Sequence, residues 1–259
     1  MISTIRNKTV YEKTLKKFLV AVFWIGVWQL IYLAVQQEIL VVSPARVFQR
    51  LLELSGEEHF WNTVFSSMLR IISGFVLGML FGTLLAVLTS INKFIYEIFH
   101  PLISIIKATP VASFIVLALV WIKSPNVPIF TSFLMVTPIV WANIFNGIKK
   151  TDSNLLNMAK LYRFGKLKTV KLIYIPSVMP YFTAACTTGL GFSWKAGIAA
   201  EVLANTPISI GQNIYDSKIY IETCDLFAWT AVVILMSVIL EFLMVKLMKW
   251  LGRKYSVWG

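Results

Sequence analysis

Long apolar runs alternate with short polar segments along this 259-residue chain. A helix that crosses the hydrocarbon core of a membrane needs about 20 mostly apolar residues. The runs predict six spanning helices, at residues 18–35, 63–89, 101–122, 127–148, 181–204 and 226–250. Pro138 lies inside the fourth run, and Lys195 and Glu201 interrupt the fifth. Residues 123–126 are too few for more than a tight hairpin between the third and fourth spans.

The composition supports a membrane location for the whole chain. Hydrophobic residues make up 58% of it and charged residues 14%, against about 45–50% and 25% in soluble domains. These values exclude a soluble enzyme, a disordered chain and a secreted disulfide scaffold. Cys186 and Cys224 build no disulfide framework, and His59 and His100 have no metal-ligand spacing. We predict an all-α integral membrane protein with one transmembrane domain at residues 18–250 and no metal site.

The positions of the charges predict the orientation in the cell membrane. With a cytoplasmic N-terminus, 17 of the 24 Lys and Arg residues fall on the cytoplasmic side and four outside, while seven of the twelve acidic residues fall outside. Cytoplasmic loops favour Lys and Arg. Residues 1–17 and the tail 251–259 are therefore both expected in the cytoplasm. This bias explains the net charge of +12 without a nucleic-acid partner.

Small residues recur at every fourth position in two of the spans. The second span carries Gly74, Gly78 and Gly82, followed by Ala86 and Ser90. The fifth carries Ala185, Gly189, Ser193, Gly197 and Glu201. Residues four apart share a helix face, and small residues allow helices to approach closely in lipid. We predict that the glycines of the second span pack against another helix. For the fifth span, packing and the lining of a pathway both stay open.

Charged residues inside spans are costly and usually face protein or water. For Arg70 and Lys107 the expectation is snorkelling or a structural pair. Lys195, Ser193, Gly197 and Glu201 are candidates for a translocation pathway, with a structural or gating role as the alternative for Glu201. Lys195 and Glu201 lie six residues apart, about 240° around a helix, so they do not pair on one face.

Two segments outside the spans have helical patterns. Ser43-Pro44 is a typical cap-and-proline start for a short helix over residues 45–54, with Val47, Leu51 and Leu54 on one face. This helix is expected on the outer surface. Residues 149–180 form the long basic cytoplasmic loop.

The cytoplasmic loop contains an amphipathic helix. Asp152 or Ser153 can cap it, and its apolar stripe is formed by Leu155, Met158, Ala159 and Tyr162. Such a face fits either the membrane surface or a groove on a partner protein. Periodicity does not choose between the two.

The same loop resembles the Glu-Ala-Ala ("EAA") loop of ABC importer membrane subunits. That loop continues with three residues, a glycine, about nine residues and Ile-x-Leu-Pro. Asn157-Met158-Ala159 occupies the Glu-Ala-Ala positions, Arg163 stands where the glycine is expected, and Ile173, Ile175 and Pro176 match the end. Further matching segments resemble the nitrate/sulfonate/taurine-type branch: Ser43-Pro44, Ser67 with Arg70, Gly74-Phe75, Pro101, Thr109-Pro110 with Ala112, Gly191 to Val202, and Ser209-Ile210-Gly211. The resemblance covers about residues 40–245.

The resemblance implies a type I ABC importer permease that works by alternating access. Its loop helix would dock on a separate ATPase subunit, which binds ATP and Mg²⁺. The residues implied in this coupling are Asp152, Leu155, Leu156, Asn157, Met158, Ala159, Tyr162, Arg163 and Pro176. A second permease subunit and an extracytoplasmic solute-binding protein would complete the importer. The implied solutes are nitrate-, sulfonate- or taurine-like ions, or vitamin precursors. An aspartate at Ala159 is expected to uncouple transport without preventing membrane insertion.

The residues themselves are compatible with this family. The sequence contains no GxxxxGK[ST] phosphate-binding loop and no Ser-His-Asp or Cys-His set placed for catalysis. We therefore predict a transport subunit that is not itself an enzyme. A self-sufficient carrier or channel, and an intramembrane enzyme or scaffold, are the competing hypotheses. A carrier has no need of an apolar-faced loop helix.

Overall fold

The computed structural model describes the backbone of residues 2–255 and the side chains of Lys16 and of residues 19–250. Within this backbone all regular structure is helical, as predicted. The α-helices are α1 (Ile2–Val35), α2 (Pro44–Ser55), α3 (Glu58–Ile91), α4 (Lys93–Ala108), α5 (Val111–Ala118), α6 (Val127–Lys149), α7 (Ser153–Leu161), α8 (Lys166–Thr169), α9 (Ile175–Leu203), α10 (Ile210–Ile219) and α11 (Thr223–Tyr255). A 3-10 turn, Ser124–Asn126, precedes α6, and a π-helical turn, Val170–Tyr174, joins α8 to α9. The end of the predicted tail, residues 256–259, lies outside the described residues.

Among the described residues, three helices are long and apolar enough to cross a membrane by themselves: Glu58–Ile91, Ser124–Lys149 and Thr223–Trp250. They correspond to the second, fourth and sixth predicted spans. Within α1, Leu19–Val35 is a shorter apolar helix. The 29-residue α9 is not among the three, because it carries Pro, Ser, Thr and Gly residues among its apolar ones in addition to Lys195 and Glu201. The number of six spans stays a prediction.

The third predicted span, residues 101–122, is wrong as a continuous helix. The chain forms α4 and α5 instead, bent by 103° at a short break. The break is Thr109-Pro110, where Thr109 is extended (φ −85°, ψ 132°). Proline disfavours the helical conformation in the residue before it and has no N–H to donate. Helix α4 also begins earlier than predicted, at Lys93, because the Asn92 side chain accepts hydrogen bonds from the N–H groups of Phe94 and Ile95.

The start of α9 shows how the chain accommodates another proline. The helix begins at Ile175 rather than at residue 181, and Pro176 lies in its first turn. In a regular α-helix the proline ring would clash with the carbonyl group four residues earlier. The wider π-helical turn Val170–Tyr174 directly before it relieves that clash.

Two compact units make up the chain. The first comprises residues 1–60 and 213–231 and contains α2. Ser43 caps α2 by accepting a hydrogen bond from the N–H of Arg46, and Val47 and Leu54 are buried, as the pattern predicts. Arg50 donates to both carboxylate oxygens of Asp225, at 2.6 and 2.9 Å. These hydrogen bonds raise the pKa of Arg50, and they fix α2 on the start of α11.

The second unit comprises residues 61–212 and 232–259, and α6 lies at its centre. The glycines of α3 lie directly on the α6 backbone. A Cβ atom at Gly78 would lie 2.8 Å from the Phe133 carbonyl oxygen, and one at Gly82 2.8 Å from that of Thr137. At Gly74 it would collide with the carbonyl of Ile129. These three glycines therefore let α3 and α6 pack at backbone contact.

Candidate coupling and translocation sites

The cytoplasmic loop presents α7 as a capped helix. Asp152 precedes it, and its carboxylate accepts a hydrogen bond of 2.8 Å from the Asn154 N–H. Such a cap satisfies one of the free N–H groups at a helix start. Leu156 is half-buried, whereas Asn157 is exposed. Pro176, the last predicted coupling residue, lies half-buried at the start of α9.

The apolar stripe predicted for α7 is divided by the structure. Ala159 is only 3% exposed, so it packs within this subunit. Leu155 and Met158 are about half as exposed as Leu161 and Tyr162, which are 79% and 69% exposed. A carboxylate at Ala159 would therefore disturb the fold of the loop. The sequence predicts that Ala159→Asp tests docking, but in this structure the substitution tests packing within the subunit. The outward apolar group consists of Leu161, Tyr162 and Leu167.

Arg163 adopts the conformation that explains the glycine of the resembling loop. Its φ is 52°, in the left-handed region that glycine enters at least cost. The Phe164 N–H donates to the Ala159 carbonyl at 2.8 Å, and the Arg163 N–H to the Lys160 carbonyl at 3.0 Å. These two bonds define a Schellman turn after α7. The turn is thus retained with an arginine at the strained position.

Arg163→Gly is expected to stabilise the subunit, because it removes the left-handed strain of a residue with a Cβ atom. The gain is about 1 kcal/mol, measured as a rise in Tm of the purified protein. Lys160→Gly, three residues earlier inside the last turn of α7, is the matched control and should cost about 1 kcal/mol. A lower Tm for Arg163→Gly would contradict the strain.

Helix α9 has two different faces. Ser193, Gly197 and Glu201 are buried together with Ala185 and Gly189. The Ser193 carbonyl accepts a hydrogen bond of 3.1 Å from Ser132 of α6, and a Cβ atom at Gly197 would meet Ile71 of α3 at 2.5 Å. Lys195 lies on the other, exposed face, where Thr188 is also exposed. The four candidate pathway residues are thus not brought together.

Glu201 forms a buried polar network with α3. One carboxylate oxygen, Oε2, accepts hydrogen bonds from Ser67 Oγ at 2.9 Å and from the Gly211 N–H at 3.2 Å. Ser67 Oγ in turn accepts from the Ile210 N–H. At Gly211 any Cβ atom would collide with Glu201. This network holds the segment at residues 204–211 against α3 and α9.

Arg70 completes the network, and its contacts show how its charge is accommodated inside the span. Its Nη1 lies 3.9 Å from the second carboxylate oxygen of Glu201. Its guanidinium also donates to the carbonyls of Pro207 and Ile208, at 3.1 and 3.0 Å. The sequence pattern alone does not pair Arg70 with Glu201. The signal was present, because both are isolated charges inside predicted spans.

Two lysines on apolar helices remain exposed. Among the described residues neither Lys107 nor Lys195 has a carboxylate partner or a hydrogen bond. Lys107 Nζ lies 5.7 Å from the ring centre of Trp141, a cation–π distance. A lysine in a membrane costs about 2.5–3.5 kcal/mol on insertion scales and is normally found facing water or protein. In a membrane these two side chains are therefore expected to face water or another protein rather than lipid.

The chain is similar to known membrane components of transport systems. The family model described as "Binding-protein-dependent transport system inner membrane component" matches residues 74–257. The bicarbonate transport system permease protein CmpB of Synechococcus elongatus is 24% identical over 196 residues, 75% of this chain and 70% of its own length. The nitrate import permease protein NrtB of a Synechocystis species is 24% identical over 188 residues, 68% of this chain and 67% of its own length.

Solved structures share the fold at low identity. An amino acid ABC transporter chain crystallised with histidines has a TM-score of 0.63 at 15% identity, and the match covers 80% of this chain and 98% of that one. A chain of the MetNI methionine ABC transporter in an inward-facing conformation has a TM-score of 0.62 at 15% identity, with 76% and 96% covered. The predicted all-helical importer permease fold is thereby confirmed. The chain belongs to the inner-membrane components of binding-protein-dependent ABC transport systems.

Proposed function

We propose that this chain forms half of the translocation pathway of an ATP-driven importer for a small anion of the nitrate, bicarbonate or sulfonate type. The family membership and the relatives named for nitrate and bicarbonate import support this solute class. The observation that carries the proposal is that Lys195 lies on the exposed face of α9. An ammonium group without a carboxylate partner among the described residues favours anions in a pathway of low dielectric.

The energy for transport comes from a separate ATPase, which binds ATP and Mg²⁺. The outward apolar group of Leu161, Tyr162 and Leu167 supports a docking role, because an amphipathic helix commonly inserts its apolar side into a partner's groove. Closure of the ATPase would move α7, which the Schellman turn connects to α8 and, through the π-helical turn, to α9. A second permease subunit and an extracytoplasmic binding protein complete the complex, with both termini of this chain in the cytoplasm.

Reconstitution in vesicles tests this function. The chain with its ATPase and binding protein should accumulate labelled nitrate or bicarbonate only when ATP is enclosed on the ATPase side. Omission of any one component should reduce uptake to background. Uphill uptake by the chain alone would overturn the proposal and favour a self-sufficient carrier. A thermal-shift screen of the binding protein identifies the solute, and a response to neutral vitamin precursors but not to anions would overturn the anion class.

A further inference from the structure

Helix α4 has two exposed faces of opposite character. Phe94, Ile98, Leu102 and Ile105 are all at least half exposed and apolar. Glu97, His100, Ser104 and Lys107 are also exposed but polar. With 3.6 residues per turn the two groups are centred about 135° apart around the helix. A third side, carrying the buried Ile103, faces the rest of the subunit.

The apolar face suits lipid, and the polar face does not. Polar and charged side chains in membrane helices face protein or a water-filled cavity. Glu97 is paired with Lys93 at the start of the helix, with 3.7 Å between Nζ and Oε1. Together with Glu97, the side chains of His100, Ser104 and Lys107 form a polar stripe that runs along α4 toward the bend at Thr109-Pro110. Discontinuous membrane helices are typical of solute sites in transporters.

Trp141 of α6 provides a fixed platform beside this stripe. Its indole N–H donates to Thr89 Oγ1 at 3.0 Å, and the residue is buried. His100 lies edge-on to it with 6.1 Å between ring centres, and Lys107 Nζ lies above it at 5.7 Å. The platform holds the ammonium group near the stripe, while the lysine itself stays exposed.

We propose that His100, Ser104 and Lys107 of α4 form a solute-contacting surface of the pathway that binds a small anion, with Lys107 as its charged contact. The inference rests on the proposed function, because a pathway is what would bring water to this face. The stripe offers an ammonium group and an imidazole ring. The Ser104 hydroxyl donates its hydrogen to the His100 carbonyl at 2.9 Å and provides a small polar surface between them along the helix. Its one carboxylate, Glu97, is already paired with Lys93. The set therefore matches an anion better than a cation.

Thiol labelling of the assembled complex tests whether the face is wet, independently of which solute is transported. Ser104→Cys and Ile105→Cys are made with the native thiols replaced by Cys186→Ala and Cys224→Ser. A negatively charged, water-soluble methanethiosulfonate should modify Ser104→Cys at least about tenfold faster than Ile105→Cys, because the reactive thiolate forms in water. Equal, slow labelling would overturn the inference and indicate that the stripe is covered by the second subunit.

Transport kinetics test the charge. Lys107→Met should raise the KM for nitrate or bicarbonate uptake about tenfold, the equivalent of one lost charge-assisted contact. Lys123→Met removes the same charge from an exposed turn and should leave the KM unchanged. If the KM of Lys107→Met is unchanged, the inference is overturned, although normal ATP-driven uptake by the wild-type complex would still support the proposed function. Absence of uptake in the wild-type complex counts against the proposed function, and the labelling still tests the stripe.

Discussion

Gly78→Leu is expected to abolish the folded subunit. A Cβ atom at this position would lie 2.8 Å from the Phe133 carbonyl oxygen and 2.9 Å from Val136 Cβ. Since the first obstacle is the backbone of α6, no side-chain rotation relieves it. Ordinary overpacking costs about 1–3 kcal/mol, and a leucine on a backbone contact exceeds that range. The measurement is the yield of monodisperse protein in detergent and its Tm.

Gly26→Leu is the matched control for this substitution. It makes the same change within α1, where, among the described residues beyond the neighbouring helix backbone, no heavy atom lies within 4 Å of a Cβ atom, and should give wild-type yield. Gly78→Ala is expected to be intermediate, because a single added carbon already meets the carbonyl. Normal yield and Tm for Gly78→Leu would show that this face of α3 meets lipid rather than α6.

The glycine stripe was predictable because close helix contact leaves a direct trace in the sequence. Only small residues permit backbone contact between helices, and the period of four fixes them on one face. The apolar runs were predictable for a related reason, since the thickness of the bilayer sets the length of a span. Both features follow from local physics that does not depend on which other helix is the neighbour.

The break of the third span was not predictable from hydropathy. Pro101, Pro110 and Pro138 are three of the nine prolines and all lie in predicted spans. Among the apolar helices of the described residues, the one bent pair, at 103°, meets at Thr109-Pro110. Pro101 and Pro138 remain inside α4 and α6, because the packing around a helix can compensate for a missing hydrogen bond. Composition gives every proline the same weight, whereas tertiary contacts decide which one ends a helix.

Which side of a helix faces its own subunit was also not predictable from the sequence. Ser193 and Lys195 are two residues apart and lie on opposite faces of α9, one buried and one exposed. Ala159 and Tyr162 share the predicted stripe of α7, but only Tyr162 points outward. In a membrane protein apolar residues face lipid, the core and partner proteins alike. Periodicity therefore identifies an apolar stripe but not which of these surroundings it contacts.

Leu161→Asp is expected to uncouple ATP hydrolysis from transport while leaving the fold intact. Leu161 is 79% exposed, so a carboxylate there should change the free energy of unfolding by no more than about 0.5 kcal/mol. If α7 docks in a groove of the ATPase, the same carboxylate is buried against apolar surface in the complex. Loss of a docking contact of about 2 kcal/mol or more should lower co-purification of the ATPase and ATP-dependent uptake at least about tenfold.

Two further variants make this result specific to docking. Asn154→Asp adds the same charge to the same helix at an exposed position in its first turn, where a negative charge is favourable, and should transport normally. Ala159→Asp should instead lower the Tm, since Ala159 is 3% exposed and a buried carboxylate without a partner is strongly destabilising. Normal uptake and normal ATPase co-purification by Leu161→Asp would exclude a docked α7 and favour a helix that lies on the bilayer.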